Sequence, residues 1–116
     1  MKTFPGPIRF TGILLNVKNY QKCVQFYSKK LGLPIREQKA YLTVFGFGGG
    51  SLLVEKSPKK LGWKNGLLRF NVPDVFKASR VLRKRGLKIN AYSVDWGDIG
   101  RFLDPEGNRI ELCKWK

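Results

Sequence analysis

Two stretches of the chain, about 55 positions apart, share the same short pattern. Leu15–Val17 reads Leu-Asn-Val and Phe70–Val72 reads Phe-Asn-Val, and each is followed by a helix-capping residue, Asn19 or Asp74. Asn and Asp are favoured at helix N-caps because their side-chain oxygens accept hydrogen bonds from free backbone N–H groups of the first turn. A repeat of this length indicates two copies of one supersecondary unit, so it constrains the architecture more firmly than any single propensity.

Each copy predicts one strand, one helix and three further strands. In the first copy apolar residues alternate from Ile13 to Val17, as in a half-buried strand, and then recur at helical spacing from Tyr20 to Leu31. The second copy follows the same order, with a helix over 75–85. Turn residues separate the remaining predicted strands, which are 34–38, 41–47, 51–56, 88–94, 99–103 and 108–114.

A chain of 116 residues, 42% of them hydrophobic, supports one compact domain. We expect a single α+β domain over 1–116, with module one at about 8–56, a linker at about 57–66 and module two at about 67–116. Because each module carries one helix, the eight strands are expected to form a curved mixed sheet with the helices on its outer face. The opposite face would then curl into a cleft.

The segment that closes the chain carries its most specific motif. Phe102–Leu112 reads Phe-Leu-Asp-Pro-Glu-Gly-Asn-Arg-Ile-Glu-Leu, a turn followed by a strand. Further motifs are Leu15–Tyr20, Phe26-Tyr27, Leu31–Leu33 and Phe70–Val72 with Asp74. Through these motifs the chain resembles the vicinal oxygen chelate superfamily, the group of glyoxalases, bleomycin-resistance proteins and extradiol dioxygenases. The resemblance implies paired β-α-β-β-β modules, a homodimer, and a ligand or metal site inside the curved sheet.

In metal-dependent members of that superfamily, the metal ligands stand at four positions of the sheet. The resemblance implies that these positions correspond to Gly12, Leu53, Leu67 and Glu111 in this chain. Of these four residues, Glu111 alone has a side chain that can coordinate a metal, and the chain contains no histidine. A divalent ion held by a protein needs three or more oxygen, nitrogen or sulfur ligands. We therefore expect no metal and no cofactor, which disfavours metal-assisted lyase and dioxygenase chemistry.

Strand alternation predicts which side chains line the cleft. Apolar residues such as Leu15, Leu68 and Ile110 suit a core beneath the helices, so the alternate positions face the cleft. That face combines apolar walls with a few charged groups, as small-molecule pockets do. The candidate ligand-binding residues are Leu53, Leu67, Arg69, Asn71, Trp96, Arg109 and Trp115.

Glu111, on the same face, has two interpretations: a catalytic general base, or an ion-pair partner of Arg69. Burial raises the pKa of a carboxyl group, whereas a neighbouring arginine lowers it. Arg69 could hold a ligand carboxylate or phosphate with its planar guanidinium, or it could only neutralise Glu111. Trp96 and Trp115 could stack on a planar ligand.

The chain has 23 lysines and arginines against eight acidic residues, a formal net charge of +15. Such a charge attracts nucleic acid, anionic membranes or acidic ligands without any specific site. A basic row on the predicted second helix, formed by Lys77, Arg80 and Lys84, would suit a nucleic-acid backbone. Because no aromatic residues are interleaved with this row, a solvated helix face is the favoured interpretation.

No apolar run approaches the roughly 20 residues of a membrane span, and no secretory signal is recognised, so we expect a cytoplasmic protein without a membrane partner. The leading hypothesis is a metal-free homodimer that binds a small planar ligand, anionic or aromatic. The first alternative is an enzyme of the lyase or isomerase type that uses Glu111 as its base. The second is nucleic-acid binding through the basic surface.

Overall fold

The computed structural model describes Thr3 and residues 5–7, 10–62 and 66–116, so positions 8, 9 and 63–65 of the predicted module and linker ranges lie outside the described residues. Both modules have the predicted order of elements. Module one consists of β1 (Ile13–Val17), α1 (Tyr20–Gln25), a π-helical turn (Phe26–Lys30), β2 (Ile35–Gln38), β3 (Leu42–Phe47) and β4 (Gly50–Lys56). Module two consists of β5 (Leu68–Asn71), α2 (Val75–Lys84), β6 (Asn90–Val94), β7 (Gly97–Leu103) and β8 (Arg109–Trp115).

Hydrogen bonds divide the eight strands into a first sheet, ordered β1-β4-β3-β2, and a second sheet, ordered β5-β8-β7-β6. In each sheet the first strand of the module pairs in parallel with the last one, and the other pairs are antiparallel. The prediction of an α+β fold built from two β-α-β-β-β modules is confirmed. The eight predicted strands form two hydrogen-bonded halves of four strands each.

Both helices begin and end at residues that the repeat marks. The side chains of Asn19 and Asp74 each accept a hydrogen bond from a backbone N–H of the first helical turn, at 3.2 and 3.0 Å. Beyond the helices, Gly32 (φ 85°) and Gly86 (φ 94°) adopt left-handed backbone conformations, which glycine adopts without a Cβ clash. No helix in the described part of the chain is long and apolar enough to cross a membrane.

The predicted alternation of core positions is also confirmed. Leu15, Leu68 and Ile110 are buried and belong to one hydrophobic cluster that includes residues of both modules. Burying an aliphatic side chain of this size contributes roughly 1.5–3 kcal/mol, so the register of each strand is fixed by which face is apolar. The alternate residues of each strand therefore lie on the face away from the core.

The π-helical turn joins the two modules. Phe26 and Tyr27 are adjacent in the chain, yet both are buried against module two. The Phe26 ring lies 6.3 Å from the ring of Phe102, and the Tyr27 hydroxyl donates a 2.7 Å hydrogen bond to Oδ2 of Asp104. Burial and the nearby Asp104 charge raise the pKa of Tyr27 far above its usual range, so the phenol stays protonated and donates.

Glu106, in the turn between β7 and β8, caps the start of α1 from the other module. Its two carboxylate oxygens accept hydrogen bonds from the backbone N–H groups of Lys18 (3.0 Å) and Asn19 (2.6 Å). A carboxylate at a helix N-terminus also interacts favourably with the helix dipole. The β7–β8 turn therefore fixes module two against the first helix.

Candidate functional site

Three charged side chains lie side by side on the face of the second sheet that points away from the core. The strand register places Arg69 opposite Glu111, and Glu111 opposite Arg101. Each of them is next in the chain to a buried core residue, so strand alternation turns its side chain to the other face. We call Arg69, Glu111 and Arg101 the charged row.

Glu111 is held from both sides within this row. Its Oε1 accepts a 2.7 Å hydrogen bond from Arg69 Nε and lies 2.6 Å from Arg69 Nη2. Its Oε2 accepts a 2.8 Å hydrogen bond from Arg101 Nε. Glu111 and Arg69 thus form the ion pair that one of the two interpretations of Glu111 predicts. Arg101 is a second cationic partner, which the sequence analysis did not identify.

Burial is very uneven along the charged row. The Glu111 side chain is 1% exposed, whereas those of Arg69 and Arg101 are 41% and 59% exposed. Two guanidinium groups compensate the cost of burying one carboxylate, and the row keeps one net positive charge at its solvent side. The hydrogen bond to Glu111 raises the pKa of Arg101, so this guanidinium stays charged at any pH of interest.

An aromatic ring lies next to each arginine of the row. Arg69 Cζ is 5.3 Å from the ring of Trp96, and Arg101 Cζ is 5.9 Å from the ring of Tyr92, within the range of cation–π contacts. The Trp96 ring in turn lies 4.9 Å from that of Trp115, whose side chain is mostly exposed. The arginines are therefore fixed between a buried carboxylate and aromatic rings.

Asn71 and Cys113 occupy the neighbouring position of the same face. The Cys113 thiol donates a 3.0 Å hydrogen bond to Oδ1 of Asn71. Cys113 is fully buried, and burial raises the pKa of its thiol, so a reactive thiolate is disfavoured. In this arrangement Asn71 holds Cys113, and among the described residues its amide nitrogen has no hydrogen-bond partner.

A cavity of about 600 Å³ opens at the end of the charged row. Glu111 and Arg101 line it together with Leu67 and Arg109, and its other walls include the π-helical turn and the loop after α2. Arg109 Nη2 donates a 3.3 Å hydrogen bond to the Gly66 carbonyl. The cavity size is within the usual range of small-molecule sites, roughly 300–1,000 Å³.

Leu53 lies apart from the other predicted site residues. The register of the first sheet places it between Leu14 and Val44, on the face away from the core. Its half-buried side chain is not part of the cavity that Glu111 lines. The structure thus brings all the predicted site residues except Leu53 to the second sheet and its edge.

The fold agrees with comparisons to known proteins. The sequence profile of the Glyoxalase/Bleomycin resistance protein/Dioxygenase superfamily matches residues 9–112. The chain belongs to this superfamily. A curated relative, the uncharacterized protein YraH of Bacillus subtilis (strain 168), is 30% identical over 121 aligned positions, covering 88% of this chain and 94% of YraH.

Solved structures show the same fold. A glyoxalase family protein from Bacillus anthracis has a TM-score of 0.82 at 16% identity, with both chains fully covered. TnmS3, an antibiotic binding protein from Streptomyces sp. CB03234, has a TM-score of 0.78 at 20% identity, covering 97% of this chain and 100% of TnmS3. At such low identity, these likenesses concern the fold alone.

The residues at the superfamily's metal positions do not fit a divalent ion here. A side chain at Gly12 would collide with the Ser51 carbonyl, and Leu53 and Leu67 offer no donor atom. Glu111 has both oxygens engaged by arginines, whose charges repel a cation. Within the described residues, no group of three or more His, Cys, Asp or Glu is placed to hold a metal.

Sequence reasoning missed Arg101 and Tyr92. The signal for Arg101 was present, because pairing the predicted strand 99–103 with Glu111 across the β7–β8 turn places Arg101 beside that carboxylate. Tyr92 required the register of β6 against β7, which no motif specifies. Alternation along a single strand does not supply such cross-strand neighbours.

Proposed function

We propose that this chain binds a small planar ligand that carries an anionic group, without a metal or other cofactor, on the face of the second sheet that points away from the core. The observation that carries the proposal is the charged row, in which a buried carboxylate holds two exposed guanidinium groups. In the described part of the chain, Nη1 and Nη2 of Arg101 have no hydrogen-bond partner, so these donors are available to a ligand. A carboxylate, phosphate or phenolate is the complementary group.

The aromatic residues around the row define the rest of the ligand. Trp96 and Trp115 are in ring contact, and 59% of Trp115 is exposed, so its face offers a stacking surface next to Arg69. Aromatic faces favour planar ligands, which stack on them. The site therefore suits a flat ring system with its charge directed towards Arg69 and Arg101.

The superfamily supports binding as the class of function. TnmS3 is described as an antibiotic binding protein, and it shares this fold. The preference for an anion rests on the charges of this chain alone, since a surface with a net charge of +15 repels cationic molecules.

The alternative of an enzyme that uses Glu111 as a general base is less well supported. A base needs an oxygen that can reach the substrate proton, at about 2.6–3.2 Å. Both oxygens of Glu111 are engaged by Arg69 and Arg101, and the side chain is almost fully buried. We assign Glu111 the role of positioning the two arginines.

The proposal includes a homodimer. Among the described strands, the outer edges of β1 and β5 have no neighbour in either sheet order, and Leu14, on β1, is 47% exposed. A second copy at these edges would bring Leu53 of one protomer towards the charged row of its partner. Light scattering should give twice the mass of one chain. Leu14→Lys should shift the measured mass towards that of one chain, whereas Leu103→Lys, at another exposed leucine, should leave it unchanged.

A cytoplasmic location stays a prediction from the sequence, which cell fractionation would test. Likewise, one domain over the whole chain stays a prediction, which a single cooperative unfolding transition would support.

The ligand's charge is tested with three naphthalene probes of like shape: naphthalene-2-carboxylate, 2-naphthylmethanol and 2-naphthylmethylammonium. Thermal shift measurements should show stabilisation by the carboxylate and little by the other two, because a ligand raises the melting temperature only if it binds the folded state. Aromatic phosphates and phenolates extend the anionic set. If no aromatic anion stabilises the protein, or if the ammonium probe does so more strongly, the proposed function is wrong.

A further inference from the structure

A face of module one concentrates lysines around α1. All six are exposed, and none is in an ion pair within the part of the chain that the structure describes. They lie in α1, in the π-helical turn, just before α1, and at and after the end of β4. We call this the lysine face: Lys18, Lys22, Lys29, Lys30, Lys56 and Lys60.

These lysines line a continuous depression. One part, of about 450 Å³, includes Lys29 and Lys30, and a second part, of about 620 Å³, includes Lys18, Lys56 and Lys60. The two parts share Asn19, Gln21 and Lys22 along their common wall. The positive charges therefore converge on one concave surface.

The polar groups between the lysines suit phosphate contacts. Gln21 and Gln25 are exposed amides on the same side of the helix and line the depression. The acidic residue in its wall, Glu106, is engaged by the backbone N–H groups of Lys18 and Asn19. Six ammonium groups thus face one carboxylate that already has partners.

We propose that the lysine face binds the sugar–phosphate backbone of a nucleic acid without reading its base sequence. Lysine is a point charge that contacts phosphates singly, and such contacts give affinity and orientation but no base specificity. The eleven residues of α1 and the π-helical turn extend about 16 Å at the usual rise per residue. That length spans roughly five phosphates of one strand of duplex DNA.

The composition of the depression favours nucleic acid over an anionic membrane. A membrane-binding helix presents large apolar side chains beside its basic ones, so that they enter the lipid. Tyr20 and Phe26, aromatic residues in this wall, are buried in the core, and none of the exposed large hydrophobic residues that the structure describes lines either part. The surface is also concave, which suits a rod-shaped polyanion better than a plane of headgroups.

The test compares two double variants that remove equal charge at equal spacing. Lys22→Gln/Lys29→Gln neutralises the lysine face, and Lys77→Gln/Lys84→Gln neutralises two exposed lysines seven positions apart on α2. Binding to fluorescein-labelled single-stranded and duplex DNA of about 20 nucleotides is measured by anisotropy between about 50 and 200 mM KCl. Equal melting temperatures of the three proteins confirm that both variants are folded.

For the wild type, we expect the logarithm of the binding constant to fall linearly with the logarithm of the salt concentration. Lys22→Gln/Lys29→Gln should make the slope of this line shallower by about 1.4 for single-stranded DNA and by about 1.8 for duplex DNA. The α2 variant should leave the slope close to wild type. Three results would overturn the proposal: no DNA binding by the wild type at low salt, equal losses in both double variants, or binding through Lys22 and Lys29 to phosphatidylserine vesicles but not to DNA.

Discussion

Arg101 Nε lies 2.8 Å from Oε2 of Glu111, across the antiparallel pair of β7 and β8. A carboxylate that is 1% exposed needs such partners, because an unpaired buried charge is very costly. Arg69 provides the second partner from β5, so Glu111 fixes two guanidinium groups at once. The same carboxylate thereby links the stability of the second sheet to the geometry of the proposed anion site.

Replacing Glu111 with Gln should lower the free energy of unfolding by about 1–3 kcal/mol, the range for a lost charge-assisted hydrogen bond. The lower end of this range allows for solvent screening of the two exposed arginines. A Gln amide group would direct donors at a guanidinium, so the two arginines would lose their fixed positions. Urea unfolding measures the effect. Glu55→Gln, on the first sheet, is the control, because Glu55 has no ion-pair partner among the described residues. Equal costs for the two variants would contradict the positioning role of Glu111.

The strands and helices could be predicted from the sequence because local signals specify them. Asn19 and Asp74 mark the helix starts, Gly32 and Gly86 the helix ends, and alternation fixed the buried face of each strand. The most specific motif of the family resemblance, the turn and strand at 102–112, is contained in β7, β8 and their connection. These features depend on residues close together in the chain.

Contacts between distant segments could not be predicted in the same way. Glu106 caps α1 from 87 and 88 positions away, and nothing in the turn sequence indicates that partner. Tyr92 approaches Arg101 only through the register of β6 with β7. Leu53 was expected beside Glu111, but the division into two sheets separates them within one chain. Such contacts depend on how the modules pack, which local patterns do not encode.

Tyr27→Phe should destabilise the protein by about 1–3 kcal/mol, because it removes a buried hydrogen bond and leaves Asp104 with one donor fewer. The Tyr27–Asp104 bond joins the π-helical turn of module one to the β7–β8 turn of module two. Chemical denaturation measures the loss. Tyr41→Phe, at a side chain that is 54% exposed, is the matched control and should change little. If the two variants are equally stable, the bond does not hold the modules together.

Cys23 gives a prediction for alkaline pH. Burial, followed by the nearby Asp104 charge, raises the pKa of this thiol from 9.0 to about 12. The folded state therefore keeps a proton that the unfolded state loses above pH 9, and stability falls as the pH rises, by up to about 1.4 kcal/mol per pH unit. Cys23→Ala should be less stable at neutral pH but should lose stability less steeply between pH 9 and 12. Parallel stability curves for the two proteins would contradict this account.

The central claim is that Arg101 binds the anionic group of a planar ligand, and calorimetric titration with naphthalene-2-carboxylate tests it most directly. Arg101→Ala should weaken binding by about 1.5–3 kcal/mol, roughly 10- to 150-fold, because one charge-assisted hydrogen bond is lost. Arg80→Ala, at an exposed arginine on α2, removes the same charge and should leave the affinity within about twofold. An affinity unchanged by Arg101→Ala, or equally reduced by Arg80→Ala, would contradict the claim.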